Sequence, residues 1–274
     1  MPRSISERLW AFAVWSFVGF FVINLVAMIA SVVVNSFGTR WFNTWLPNGF
    51  TPSWYALAWN EFNLADILLV TLEVVGAVVL VSGLIGVPAA YAMARRNFPG
   101  RTAVMAVFLL PLLVPPMTYG IPLATVLYQA RLGGTLSGVI LANLIPSVTF
   151  VTLLMIPFVE QIDPRVEAAA RVFGASTPRM FVQILVPLLL PGILASLLLV
   201  LVRAIAMFEL TFLTAGPTSQ TLVVALYYAV FAAGVRPGQS IDSMAVVYMV
   251  TTLIWLLIAL RFVNPTQIVT RAKQ

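Results

Sequence analysis

Six long apolar stretches limit what this chain of 274 residues can fold into. At about 1.5 Å per helical residue, each can cross the roughly 30 Å hydrocarbon core of a bilayer. No soluble core could bury this surface, since 61% of the residues are hydrophobic and 9% are charged. We predict an all-α polytopic membrane protein, a single domain over residues 1–274, with six transmembrane helices at about residues 10–34, 66–93, 102–128, 136–158, 187–212 and 241–262.

The residue types that the chain lacks exclude several classes of function. Without Cys and His it has no thiol nucleophile, no imidazole base and none of the commonest zinc ligands, so we expect no catalytic residue, metal or cofactor. The only lysine, Lys273, lies in the C-terminal tail, which rules out a phosphate loop ending in Gly-Lys-Ser/Thr. The net charge is +6, but the basic residues flank apolar stretches and form no basic stripe. This distribution argues against a nucleic-acid-binding protein.

The distribution of basic residues predicts the orientation in the membrane. Lys and Arg are in excess in cytoplasmic loops. With six crossings, the basic residues on the side of the two termini are Arg3, Arg8, Arg95, Arg96, Arg101, Arg165, Arg171, Arg179, Arg261, Arg271 and Lys273, and those on the other side are Arg40, Arg131 and Arg236. We expect a multi-pass protein of the plasma (inner) membrane with both termini cytoplasmic. Residues 220–233 are too few to cross comfortably and read as a re-entrant or interfacial segment.

A polar insert at residues 159–186 separates the fourth span from the fifth. Asp163 followed by Pro164 favours a helix start, and Gly174 suits the left-handed residue just past a helix end. Ser176 or Thr177 before Pro178 favours a second helix start. The insert is therefore predicted to be a helix, a tight turn and a helix that project into water.

The insert resembles the signature of the permease subunits of binding-protein-dependent ABC importers of the maltose and polyamine type. That signature runs Glu-Ala-Ala, three residues, Gly, nine residues, Ile, one residue, Leu-Pro. The matching residues here are Glu167, Ala168, Ala169, Gly174, Ile184 and Pro187, with Val186 in place of Leu. The resemblance implies that the insert is a cytoplasmic coupling-helix hairpin that docks in a groove of the ATP-hydrolysing subunit.

The resemblance also implies partners and a mechanism. The partners would be two copies of an ATP-binding subunit, a second permease subunit, an extracytoplasmic solute-binding protein and the lipid membrane, and the mechanism would be alternating access. Residues 35–65 mix Trp with Pro, Gly and Asn, which predicts a loop on the outer face. This loop is either a landing surface for the binding protein or an aromatic anchor.

Two spans have irregular sequences. Gly76, Gly83 and Gly86 in the second span permit close contact between helices. The third span contains four prolines and should be kinked or locally broken, either beside the pathway or for structural reasons alone.

Ionisable residues inside the spans are candidates for function, because insertion of a charge costs about 2.5 to 3.5 kcal/mol. By counted depth, Glu73 and Arg203 are hypothesised to form an ion pair. Glu209 is either a pathway or gate residue or a carboxylate anchored at the interface. Polar residues that either line the pathway or bond to neighbouring helices are Tyr119, Asn143, Thr211 and Tyr228.

Taken together, these features favour the permease of an ATP-driven importer of a small polar organic solute, sugar-like, polyol-like or polyamine-like. The main alternative is a gradient-driven transporter or channel, for which inverted repeats or clustered membrane carboxylates would be expected. An intramembrane hydrolase would need a nucleophile and a base. Without His or Cys only a Ser-Lys pair could serve, and Lys273 lies in the C-terminal tail, away from the spans.

Overall fold

The computed structural model describes residues 5–41, 44, 46–231 and 236–262. Arg3 and the basic tail at residues 264–274, on which part of the predicted orientation depends, lie outside this range. In chain order the helices are α1 (Ile5–Phe37), α2 (Ser53–Glu61), α3 (Leu64–Arg95), α4 (Arg101–Leu113), α5 (Pro116–Gln129), α6 (Leu136–Glu160), α7 (Pro164–Val172), α8 (Thr177–Met180), α9 (Val186–Ala206), α10 (Glu209–Thr214), α11 (Leu222–Phe231) and α12 (Gly238–Phe262).

Within the described residues, five helical segments are long and apolar enough to cross a membrane, namely Leu9–Phe37, Leu64–Arg95, Leu136–Glu160, Thr177–Ala206 and Gly238–Arg261. The predicted third span consists of two helices, α4 and α5, which are bent by 102° at the break between them. Pro115 stands at this break in an extended conformation, as expected for a residue followed by another proline. The all-α polytopic fold and the broken third span are therefore confirmed, with five crossings by length, or six if the bent pair is one.

The contacts divide the chain into two units. One unit contains Met1–Leu64 and Tyr228–Met249. Within it, Ser36 Oγ and Tyr55 Oη share a hydrogen bond of 2.8 Å, and Trp54 Nε1 donates to the carbonyl of Gly38 at 2.8 Å. The predicted outer loop at residues 35–65 is thus more ordered than expected, because it contains α2 and an isolated bridge between Gly38 and Phe50.

The other unit contains Ala65–Tyr227 and Val250–Gln274. Its centre is α6, which packs against α4, α9 and α10. A Cβ atom added at Gly86 would lie 2.7 Å from Val151 on α6, so the missing side chain permits α3 to approach α6 closely. The same holds for Gly83 against Leu197, whereas Gly76 faces open space in the described structure.

The helix α11 is ten residues long, which agrees with the prediction that this segment is too short to cross. Its first residue, Leu222, donates its backbone N–H to Thr71 Oγ1 at 2.8 Å. Thr71 lies on α3 and so satisfies an amide that the helix itself leaves unpaired. Whether this helix is re-entrant or interfacial stays a prediction.

Candidate functional site

The polar insert begins with the helix that the sequence predicts. Pro164 is the first residue of α7, and Asp163 accepts a hydrogen bond from the backbone N–H of Arg165 at 2.9 Å. Gly174 follows the helix with φ +79°. The N–H of Gly174 donates to the carbonyl of Arg171, and the N–H of Ala175 donates to that of Ala170, both at 3.0 Å. These two bonds form a Schellman motif, which confirms the left-handed residue predicted at Gly174.

The Glu167 side chain points into the protein and not towards solvent. Only 6% of it is exposed. Its carboxylate accepts hydrogen bonds from Arg95 Nε at 2.7 Å and from Tyr91 Oη at 2.8 Å, both on α3. Arg95 also donates to the carbonyl of Ile162, just before α7. A buried carboxylate with two donors is well compensated, so Glu167 fastens α7 to the end of α3.

The opposite face of α7 is exposed and partly apolar. Ala168 and Ala169 of the signature are exposed. At the end of the helix Val172 is 85% exposed and Phe173 is 90% exposed. Two large apolar side chains with almost no cover, on a segment anchored by a buried ion pair, are typical of an interaction surface.

The second arm of the insert differs from the prediction. It does not form a separate helix. Instead α8 continues through a π-helical turn, Phe181–Leu185, into α9, so that Thr177–Ala206 is one helical run. Ile184 is half-buried in that turn and Pro187 is exposed near the start of α9. Pro187 is the second residue of α9, directly after the π-helical turn, and as a proline it has no N–H to donate to that turn.

The same run ends inside the predicted fifth span. Met207 is extended, with ψ 102°, and breaks the helix before α10 begins at Glu209. The predicted span at residues 187–212 is therefore two helices. Arg203 is in the last turn of α9 and Glu209 is in the first turn of α10, so the two residues belong to different helices.

The predicted ion pair between Glu73 and Arg203 is wrong. Glu73 is exposed on α3, and the three ion pairs among the described residues do not include either residue. The counted depths were similar, but residues at one depth meet only if their helix faces also meet. The Arg203 guanidinium lies over the Phe150 ring of α6, 5.7 Å from its centroid. Tyr119 of α5 packs against a buried cluster that includes Met207 and Leu210, at the break between α9 and α10.

Asn143 and Tyr228, the other predicted pathway residues, differ in burial. Asn143 is 2% exposed on α6 and donates to Thr211 Oγ1 at 3.1 Å, which ties α6 to α10. This contact agrees with the alternative that Asn143 and Thr211 bond to neighbouring helices. Tyr228 is 41% exposed on α11 and belongs to the other unit.

Comparison with known proteins identifies the family. Residues 83–269 match the family model described as the binding-protein-dependent transport system inner membrane component. This is well over half of the chain, and it includes the insert with its signature. The chain belongs to this family. It is a multi-pass inner membrane permease subunit of the ABC importers, and the resemblance seen in the sequence is confirmed.

Two relatives are permease proteins of molybdenum and of molybdate/tungstate transport systems. The molybdenum transport system permease protein ModB of Haemophilus influenzae is 34% identical over 155 residues, which cover 50% of this chain and 67% of ModB. The molybdate/tungstate permease WtpB of Thermococcus kodakarensis is 33% identical over 130 residues, 47% of this chain and 52% of WtpB. The chain thus matches about half to two thirds of the length of these relatives.

The fold of the permease also matches a solved structure. A bacterial ABC transporter involved in the import of the acidic polysaccharide alginate superposes with a TM-score of 0.80. The match covers 96% of this chain and 100% of that chain, at 16% sequence identity. This likeness supports the fold alone.

Sequence reasoning missed the residues that anchor the insert. Tyr91 and Arg95 are 76 and 72 residues away from Glu167 along the chain. Arg95 follows the second predicted span, where its positive charge indicates only the orientation in the membrane. The available signal was a carboxylate on a helix of the polar insert and an arginine at the end of a spanning helix, but many other pairs in the chain would satisfy it.

Proposed function

We propose that this permease is one of two membrane subunits of an ATP-driven importer, and that α7 with the turn after it docks on a separate ATP-hydrolysing subunit. The observation that carries the proposal is the pair of side chains Val172 and Phe173, 85% and 90% exposed on a helix that Glu167 holds against α3. A rigid helix with an apolar end can insert into a groove and transmit force.

The route by which movement would reach the membrane follows from two connections. Through Glu167, α7 is fastened to the end of α3. Through the turn at Gly174, it leads into the continuous helical run Thr177–Ala206. Tyr91 and Phe181 also pack edge to face, 5.4 Å between ring centroids, which ties the start of that run to α3. A rigid-body displacement of the docked helix would therefore move the far end of α9, where the helix breaks.

We infer a second permease subunit, two ATPase copies and an extracytoplasmic binding protein, with α7 and both termini on the cytoplasmic side. The basic residues of the insert support this orientation. ModB and WtpB, by name a molybdenum and a molybdate/tungstate permease, add molybdate and tungstate to the sugar-like, polyol-like and polyamine-like solutes expected from the sequence.

The test is affinity purification of the tagged permease from its own host in mild detergent, followed by mass spectrometry and an ATPase assay. We expect an ATPase chain with Walker motifs to co-purify. Phe173→Asp should abolish its recovery, because a carboxylate would be buried in the apolar groove. Phe50→Asp is the matched control, since Phe50 is also exposed, at 64%, but lies in the predicted outer segment. Recovery of the permease alone, or equal recovery of the ATPase with Phe173→Asp, would contradict the proposal.

A further inference from the structure

The Arg203 side chain carries a positive charge that no described carboxylate neutralises. Its Nε atom is buried and has no hydrogen-bond partner among the described residues. None of the three ion pairs of the described structure includes it. Its contact is the Phe150 ring, 5.7 Å from the guanidinium carbon, which attracts a cation but accepts no ordinary hydrogen bond.

Arg203 also lies deep in the membrane. Phe150, beneath the guanidinium, is a residue of α6, which runs from Leu136 to Glu160. At 1.5 Å per residue, Phe150 is about 21 Å from the first end of α6 and about 15 Å from the other. The guanidinium is therefore near the middle of a spanning helix. An ionised group at that depth is costly unless it is paired or solvated, and transporters place such groups where a substrate or ion binds.

A second unpartnered donor lies near the break between α9 and α10. Tyr119 Oη on α5 is buried and has no hydrogen-bond partner among the described residues. The Tyr119 side chain packs against a buried cluster that includes Met207, at the break, and Leu210 of α10. Met207 lies four residues after Arg203, which is half-buried in the last turn of α9. Guanidinium N–H groups and a phenol O–H share one preferred partner, the oxygen of an anion.

We propose that Arg203 and Tyr119 form a binding site for an anionic solute at the break between α9 and α10. The solute class is a small oxyanion, whose oxygens accept hydrogen bonds from both side chains. This inference rests on the proposed function, because it concerns the solute that the importer moves. It replaces a sugar-like or polyamine-like solute with a negatively charged one, and a cationic polyamine would be repelled by Arg203.

Glu209 sets the strength of this site. It is half-buried in the first turn of α10, and its carboxylate is not within ion-pair distance of Arg203. A nearby carboxylate weakens the binding of an anion without occupying the guanidinium. Transport requires a site that binds its solute and then releases it, so weak binding is expected.

The experiment measures equilibrium binding of radiolabelled sulfate, a tetrahedral dianion, to the permease purified with whatever subunits accompany it and reconstituted in nanodiscs without binding protein. We expect saturable binding to the wild type, competed by molybdate and not by maltose. Arg203→Gln should weaken binding at least tenfold. Arg203→Lys should bind sulfate with an affinity between those of the wild type and Arg203→Gln, since it keeps the positive charge and loses the planar guanidinium. Tyr119→Phe should weaken binding severalfold.

The matched control is Arg131→Gln, which removes one positive charge from an exposed residue in the turn before α6. It should bind sulfate like the wild type. Equal binding by Arg203→Gln and the wild type, absence of saturable sulfate binding to the wild type, or competition by maltose would each overturn the proposal. Recovery of the ATPase with every variant reports separately on the proposed function, so the failure of one does not imply failure of the other.

Discussion

Arg95 Nε donates a hydrogen bond of 2.7 Å to Glu167 Oε1, although 72 residues separate the two in the chain. This contact joins the last residue of a spanning helix to the helix of the polar insert. Glu167, the first residue of the signature, is therefore a positioning residue. The exposed side chains of Val172 and Phe173 lie more than one helical turn after it. The helix α7 therefore has one anchored face and one exposed face.

Arg95→Gln should loosen the insert. Removal of one partner of a buried ion pair costs on the order of 3 kcal/mol, because the other charge is left uncompensated. Hydrogen exchange should therefore accelerate strongly at residues 164–180 and little in α6. Arg171→Gln is the control, since Arg171 is 58% exposed and its Nη2 lies 3.7 Å from the same carboxylate. Equal exchange in the two variants would show that the Arg95 contact does not hold the insert.

Gly174→Val should uncouple ATP hydrolysis from transport. Gly174 has φ +79°, a conformation that a β-branched residue adopts only with strain. A Cβ atom there would meet nothing within 4 Å, so the strain arises from the backbone and not from crowding. The strain is about 1–2 kcal/mol or more, enough to distort the Schellman motif. The measurement is the ratio of solute uptake to ATP hydrolysed in proteoliposomes, and it should fall.

The control for the turn is Gly174→Asn, since asparagine tolerates the left-handed region better than other residues with a side chain. Gly174→Asn should keep most of the wild-type coupling ratio. If Gly174→Val also kept it, the turn geometry would not matter for coupling.

Gly86→Ala should destabilise the packing of α3 on α6. The added methyl group would lie 2.7 Å from both Cβ and Cγ1 of Val151, which is closer than carbon atoms approach. Overpacking of this kind costs about 1–3 kcal/mol. The apparent Tm in detergent should drop by several degrees. Gly76→Ala on the same helix meets nothing within 4 Å and should leave the Tm unchanged or raise it slightly. A similar Tm for both variants would mean that the close approach at Gly86 is absent.

Local features of the fold could be predicted from the sequence because they depend on neighbouring residues. The start of α7 at Pro164 and its end before Gly174 follow from capping chemistry within a few positions. The break of the third span follows from prolines, which remove amide donors. Long apolar helices follow from composition alone.

Features that depend on distant contacts could not be predicted in this way. The ion pair between Glu73 and Arg203 was predicted from their depth in the membrane alone. In the structure Glu73 is exposed on α3, whereas Arg203 of α9 lies over Phe150. The continuity of α8 with α9 could not be predicted either. Ser176, Thr177 and Pro178 indicate where a helix starts but not where it ends. The anchoring of Glu167 by Tyr91 and Arg95 required the tertiary structure.

The most direct test of the account is a single-cysteine photo-cross-link at Phe173. The chain has no native cysteine, so Phe173→Cys introduces a unique attachment site for a benzophenone maleimide. In inverted membrane vesicles, where the cytoplasmic side faces out, we expect labelling followed by a cross-linked product that contains an ATPase subunit, and disappearance of that product when the ATPase is stripped off. Labelling only in right-side-out vesicles, or a labelled permease with no ATPase in any cross-linked product, would contradict the account.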